Sequence, residues 1–128
     1  MPDASEMLTA DVVSYLRSQP LGRLATVDSA GASQNNPVGF RYNAELGTID
    51  IGGRNMGASR KFRNVAANPR VAFVVDDLAS TQPWRPRFVE IRGHAEALRA
   101  QTPYMQGMSP ELIRIYPDRV ISYGLGEA

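Results

Sequence analysis

The spacing of hydrophobic positions changes several times along the chain, and each change marks an element. Val12, Val13 and Leu16 recur at helical spacing behind Thr9, a good N-cap, until Pro20 and Gly22 stop the pattern. A short amphipathic helix therefore opens the chain. Residues 23–27 (RLATV), the turn residues 28–31 (DSAG) and a run over 33–42 read as a hairpin. Pro37 lies inside the second run and places that strand at an edge or at a bulge, because proline donates no ladder hydrogen bond. Residues 43–47 turn the chain again, and 48–52 (TIDIG) alternate with Ile49 and Ile51 on one face. These runs predict three antiparallel strands in a meander.

The period then returns to that of a helix. Ala58, Phe62, Val65 and Ala66 form an apolar stripe, with Arg60, Lys61, Arg63 and Asn64 on or beside the other side, and Asn68-Pro69 ends it. Residues 70–75 are nearly all apolar, as in a strand buried on both faces, and Asp76-Asp77 closes them. Residues 79–86 read as a proline-stiffened surface loop around Trp84. In the long strand that follows, 87–98, Val89 and Ile91 face one way while Phe88, Glu90, Arg92 and His94 face the other. Ser109-Pro110-Glu111 has the composition of a helix start, Pro117 stops that helix, and 120–125 make a last strand. About six strands joined mostly by hairpins predict a mainly β fold, a small antiparallel barrel with short helices. The helix after the third strand flanks or plugs the barrel and keeps its basic face accessible.

Length and charge narrow the function. At 128 residues the chain makes one domain, 1–128, with a single core and little room for a deep cofactor cavity of its own. A site shared between two subunits is the natural way round this. The formal charge of +1, from 14 Lys+Arg against 13 Asp+Glu, lacks the diffuse basic field that non-specific nucleic-acid binding needs. Local clusters of cations must then serve local targets. Absence of cysteine excludes disulfides, thiolate metal sites and cysteine nucleophiles. No apolar run reaches spanning length, and residues 1–6 carry no leader pattern. The expectation is a cytoplasmic protein with neither membrane nor nucleic-acid partners.

The densest chemistry lies at residues 52–61 (GGRNMGASRK), which pass from a β-branched strand into the first turn of a helix. Three glycines let the backbone approach an anion, the amides at a helix start point outward, and Ser59, Arg54, Arg60 and Lys61 add donors that a core has no use for. Such a segment suits a phosphate, although its spacing matches neither the Walker A nor the dinucleotide pattern. The competing reading is a flexible loop followed by a solvated helix face. No Ser-His-Asp, Cys-His or His-Glu constellation stands out as catalytic machinery, and no catalytic acid or base is assigned.

The order of short segments carries a resemblance. LGRLATV at 21–27, NPVGF at 36–40, IGG at 51–53, SRKFRNV at 59–65, NPRVA at 68–72, PWRPR at 83–87 and EIRG at 90–93 together resemble the pyridoxamine 5′-phosphate oxidase-like split-barrel superfamily. Within it, the likeness is to the actinobacterial deazaflavin-dependent oxidoreductases, and it covers roughly residues 7–125. The resemblance implies a six-stranded antiparallel split barrel and a homodimer with two equivalent sites at the subunit interface. It also implies coenzyme F420 as cofactor, with FMN as the alternative, and hydride transfer to or from a small substrate. On this reading Ser59, Arg60 and Lys61 bind the cofactor phosphate, Gly53, Arg54 and Asn55 line it, and Asn36, Pro37 and Val38 meet the ring. A non-catalytic F420 or flavin carrier is the rival reading, and an FMN-dependent pyridoxine phosphate oxidase a weaker one. Because hydride chemistry belongs to the cofactor, the want of a catalytic triad fits the resemblance.

Some residues keep two readings. Trp84, the sole tryptophan, either packs over the barrel end or serves the cofactor or dimer interface. Arg87 and Arg85 either grip the acidic tail of a deazaflavin or pair with Asp76, Asp77 or Glu90. His94, the sole histidine, has too few partners for a metal site and reads as structural or surface. Asp76-Asp77 reads as solvated, and Tyr123 either as core packing or as a ring or interface contact.

Overall fold

The structure is a computed structural model that describes residues 7–126, so the sequence reading of 1–6 lies outside the described residues. Its strands are β1 (Leu21–Val27), β2 (Ser33–Gly39), β3 (Arg41–Asn43), β4 (Thr48–Ile51), β5 (Arg70–Thr81), β6 (Trp84–Leu98) and β7 (Leu112–Tyr123). Among the described residues two helices accompany them, α1 (Ala10–Ser18) and α2 (Arg60–Ala67), with a 3-10 turn at Met56–Ala58 before α2. The fold is mainly β, with seven antiparallel strands rather than six, in one sheet of order β2-β1-β5-β6-β7-β4-β3.

That order explains the shape. The two edge strands, β2 and β3, are separated in the chain only by Phe40, so the sheet must curl until its edges approach each other. The result is a barrel split along the β2/β3 seam, where Phe40 meets the Phe73 ring edge-on at 5.1 Å. The predicted meander is corrected accordingly. β1 and β2 form the expected hairpin, but the run over 33–42 breaks at Phe40, and β4 pairs with β3 and β7 instead of β2. Pro37 sits on an edge strand, as its missing N–H requires.

The interior is filled by Leu24, Phe73, Val75, Val89, Ile91, Ile113 and Ile115, with Ile49 and Ile51 from β4. Helix α1 is capped by Thr9, whose Oγ1 accepts from the Val12 amide at 3.4 Å, and buries Val12, Tyr15 and Leu16. Eight residues are too few for a helix to persist alone, so α2 depends on burying Phe62 and Val65, each worth about 1.5–3 kcal/mol.

Three further expectations are corrected. The helix expected from Ser109 does not form; Ser109 and Glu111 bond instead to the amides of Met56 and Gly57, and Ile113 and Ile115 continue as β7. Pro117 lies opposite Gly93 where β7 carries an extra residue, a place that tolerates a missing donor. Strand β5 runs on to Thr81 and β6 starts at Trp84, so most of the expected loop over 79–86 is a paired hairpin. Only one face of β5 is buried, with Ala72 and Val74 left half-open on the other.

Candidate functional site

The seam of the barrel opens into a cleft of about 240 Å3. One wall is the edge-strand backbone at Pro37, Val38 and Gly39, and the other is the glycine-rich segment with Gly53, Arg54, Asn55, Met56, Ser59 and Lys61. Seven sequence-predicted site residues thus meet in one place: Pro37, Val38, Gly53, Arg54, Asn55, Ser59 and Lys61. Asn36 is half-buried beside them on β2, and Arg60 is exposed on the first turn of α2.

The loop wall is held from behind by the segment that precedes β7. The Gly52 amide donates to the Tyr104 hydroxyl oxygen at 3.1 Å, the Met56 amide to Ser109 Oγ at 3.0 Å, and the Gly57 amide to Glu111 Oε1 at 3.1 Å. Ser109 in turn donates from its own amide to the Gly53 carbonyl at 2.9 Å. The amides of Arg54 and Asn55 bond to nothing among the described residues. Ser59 caps α2: its Oγ accepts from the Phe62 amide at 3.3 Å and donates to the Met56 carbonyl at 2.7 Å. Its hydroxyl is therefore already engaged, which the sequence reading did not anticipate.

The cleft and the helix turn beside it carry cations that no carboxylate neutralises: among the described residues Arg54, Arg60 and Lys61 form no ion pair, a state they share with surface arginines such as Arg63, Arg70 and Arg119, whereas Arg23, Arg41, Arg87, Arg92 and Arg114 are paired. Unpaired cations beside free amides at a helix start are a ready donor set for a phosphate.

Asp50 anchors the same loop from inside. Its carboxylate is fully buried and accepts from Arg114 Nε at 3.0 Å, Arg41 Nη2 at 3.1 Å, Asn43 Nδ2 at 2.9 Å and Thr48 Oγ1 at 3.0 Å. Burial by itself would push this carboxyl up, but the hydrogen bonds from Arg114, Asn43 and Arg41 prevail and hold it below the ordinary carboxylate range. Alternation on β4 was legible in sequence; the clasp of Asp50 across three strands was not.

Trp84 and Arg87 lie elsewhere. The Val74 row of the sheet contains Arg23 and, across β1, Pro37, while Trp84 pairs with Thr81 near the other end of β5. At about 3.3 Å per residue, these positions are roughly 20 Å apart along the strands. A second pocket, also about 240 Å3, is formed there by Ser80, Trp84, Pro86, Arg87, Tyr123 and Gly124 with their neighbours. Arg87 is pinned at its base: Nε donates to Asp77 Oδ1 at 2.9 Å, Nη2 donates to the other carboxylate oxygen, and the guanidinium lies 5.2 Å from the Tyr15 ring centre. The Arg87 hydrogen bonds lower the Asp77 carboxyl, helped by the Tyr15 hydroxyl at 2.8 Å, so Asp77 is a structural carboxylate and not the solvated group expected. Burial and the hydrogen bond to Asp77 raise the Tyr15 hydroxyl far above its ordinary value. Tyr123 is likewise corrected; it is 58% exposed and stacks on Phe88 at 5.9 Å.

His94 is exposed on β6, with Nδ1 3.2 Å from Asp118 Oδ2. Among the described residues no cluster of His, Cys, Asp or Glu is placed to hold a metal ion, and no helix is long and apolar enough to cross a membrane.

The chain is thus a split barrel with a cation-bearing cleft on its seam. The model of the pyridoxamine 5′-phosphate oxidase family matches residues 8–124. The chain belongs to that family. A curated relative, the 5a,11a-dehydrotetracycline/5a,11a-dehydrooxytetracycline reductase of Streptomyces rimosus, is 49% identical over 121 residues, covering 91% of this chain and 83% of the relative. Among solved structures, a conserved hypothetical protein of Mycobacterium tuberculosis superposes with a TM-score of 0.72 at 19% identity, over 97% of this chain and 90% of that one. A structure described as an F420 reductase superposes with a TM-score of 0.64 at 23% identity, over 88% of this chain and 98% of that one. The chain is an oxidoreductase of the pyridoxamine 5′-phosphate oxidase-like family. The residues on the cleft fit the phosphate of a flavin-type cofactor: cations without carboxylate partners, free loop amides, and a flat edge strand whose Gly39 presents no side chain.

Proposed function

We propose that the protein is a reductase that holds coenzyme F420 at the interface of a homodimer and reduces a small planar, conjugated substrate. The observation that carries this reading is the seam cleft, where, among the described residues, Arg54 and Lys61 stand without carboxylate partners beside the free amides of Arg54 and Asn55, with Arg60 exposed on the adjoining first turn of α2. In this role Lys61 and Arg60 hold the phosphate, the loop amides fix its register, and the backbone of Asn36, Pro37 and Val38 lies along the ring. The bound cofactor supplies the hydride. The chain's own part is to orient the ring and keep one face open to substrate.

Two features support a dimer. The cleft, at about 240 Å3, falls short of the roughly 300–1,000 Å3 usual for a pocket that buries a ligand, so one chain builds only part of the enclosure. The outward face of the sheet also leaves an apolar groove over Ala25, Ala72 and Val74, rimmed by Arg23, Asn35 and Glu90. A second copy laid on this face covers it with the self-complementary contact of a two-fold dimer. For the substrate class, the support is the relative from Streptomyces rimosus, whose description names a reductase of dehydrotetracyclines.

The deciding test is parallel titration of the purified protein with coenzyme F420 and with FMN. Preference for F420 is expected, and preference for FMN would move the protein to the flavin-binding branch. Lys61→Ala removes a charge-assisted hydrogen bond worth about 1.5–3 kcal/mol, which is a loss of roughly tenfold or more in cofactor affinity. Because Lys61 has no ion-pair partner among the described residues, the melting temperature of the unliganded protein should stay unchanged. Unaltered affinity would place the phosphate elsewhere.

A further inference from the structure

The β5–β6 hairpin runs on past the rest of its sheet. The Asp76–Phe88–Tyr123 row is the last in which β6 is paired on both sides, and β1 begins level with it at Leu21. Beyond that row the two strands continue alone to the Thr81–Trp84 pair, as an arm. Six large hydrophobic side chains stay exposed among the described residues, and four of them, Leu21, Leu78, Trp84 and Tyr123, lie on this arm or at its root. Trp84 is 67% exposed. Exposed aromatics concentrated on one projecting element mark an interaction site rather than a random surface.

The pocket on the arm has a defined character. Trp84 and Tyr123 supply flat ring surfaces, and Tyr123 is backed by Phe88 with ring planes only 12° apart. Arg87 is locked by Asp77 through Nε and Nη2, which leaves Nη1 as a fixed donor and cancels most of the charge. Ser80 adds a hydroxyl. Arg85 also lines the pocket, and aromatic walls with a few donors at their edge suit a planar polycyclic ligand that carries ring oxygens.

We propose that this pocket is the substrate wall of the enzyme, that it stacks a planar polycyclic, oxygen-bearing ligand on Trp84 and Tyr123, and that it serves the cleft of a second copy of the chain. The last clause rests on the dimeric reductase reading above. It follows from distance: roughly 20 Å of sheet separates Trp84 from its own chain's Pro37, far beyond the reach of a hydride transfer. A two-fold contact repeats in both directions, so an arm that crosses to its partner builds two equivalent sites, each with a cleft from one chain and a wall from the other.

The sole tryptophan gives a direct readout. Adding 1,8-dihydroxyanthraquinone to the purified protein should quench Trp84 fluorescence saturably with one ligand per chain, while phenol at the same concentration leaves it unchanged. Tyr123→Ala and Trp84→Ala, with binding followed by the absorbance of the probe, should each lose about tenfold or more in affinity. Equal affinity in both variants, or no binding by a protein that does bind cofactor, overturns the assignment of the pocket. Binding of the probe by a protein that takes neither F420 nor FMN overturns the reductase reading and leaves the pocket standing. To test the crossing, Lys61→Ala and Trp84→Ala chains are unfolded together and refolded at equal concentration, and dehydrotetracycline reduction is assayed at a cofactor concentration that fills only the wild-type cleft. Each variant alone has no intact site. Crossed sites restore about a quarter of wild-type activity, since half of the dimers are mixed and each regains one complete site. No recovery means that wall and cleft belong to the same chain, and overturns the crossing.

Discussion

Replacing Asp50 by Asn probes the clasp that fixes the strand leading into the anion loop. The side chain is nearly isosteric, so the change removes charge while keeping volume. Arg114 is 15% exposed and donates twice to Asp50, and its charge is left largely out of water without a counterion. Arg41 is 45% exposed and turns to solvent, so its lost pairing costs little. Breaking a buried pair by removing one partner costs about 3–5 kcal/mol, and the partial exposure of Arg41 puts this case at the lower end, about 3 kcal/mol. For a chain of this size that corresponds to a fall in Tm of about 10 °C. Urea unfolding should show a lower midpoint at an unchanged slope. Cofactor affinity should fall as well, because Asp50 is two residues from Gly52 and its carbonyl accepts from the Tyr104 hydroxyl that braces the loop. The acid limb offers a second check. Asp50 has a depressed folded pKa, so its contribution is complete above the unfolded carboxylate value of about 3.9 and disappears as pH falls through the lower folded value. Wild type should therefore lose stability over that acid window more steeply than Asp50→Asn. A loss below about 1 kcal/mol at neutral pH, or parallel acid limbs, would refute the view of Asp50 as a buried, ionised anchor.

Two smaller perturbations test other joints of the fold. A Cβ on Gly93 would lie 2.2 Å from the Tyr116 carbonyl oxygen, a backbone atom that cannot swing away, so Gly93→Ala should lower stability by about 2 kcal/mol or more in thermal unfolding; an unchanged Tm would show that β7 can slide at its extra residue. Tyr15→Phe removes the hydroxyl donated to Asp77 and should cost about 1 kcal/mol; if Arg87 positions the pocket on the arm, anthraquinone affinity should fall with it, and retention of both would show that the Asp77–Arg87 pair stands alone.

Local order was legible in the chain because it follows from local rules. The Thr9 cap, the α2 stripe, the β1–β2 hairpin and the edge position of Pro37 each depend on neighbours a few residues away. The glycine-rich segment stood out for the same reason: its small residues and cations are neighbours in the chain. Where the local signal misled, a distant partner had claimed the group. Ser109 and Glu111 have the chemistry of a helix start, but their acceptors went to amides more than fifty residues earlier, and the isoleucines behind them found a place in the sheet. Asp77 reads locally as a solvated carboxylate, but the fold gathers Tyr15, Gln19 and Arg87 around it.

By itself, the sequence determined the mainly β character, the element boundaries near the start of the chain, the place of the glycine-rich, cation-bearing segment and the family. Tertiary structure alone decided that the sheet has seven strands and closes on the Phe40 seam, that Asp50 is buried between two arginines, and that Trp84 stands far from the cleft with which it was grouped. The physical reason is that strand pairing and ion pairing join residues without regard to their separation in the chain, and each pairing is chosen by what the completed fold leaves buried and unsatisfied.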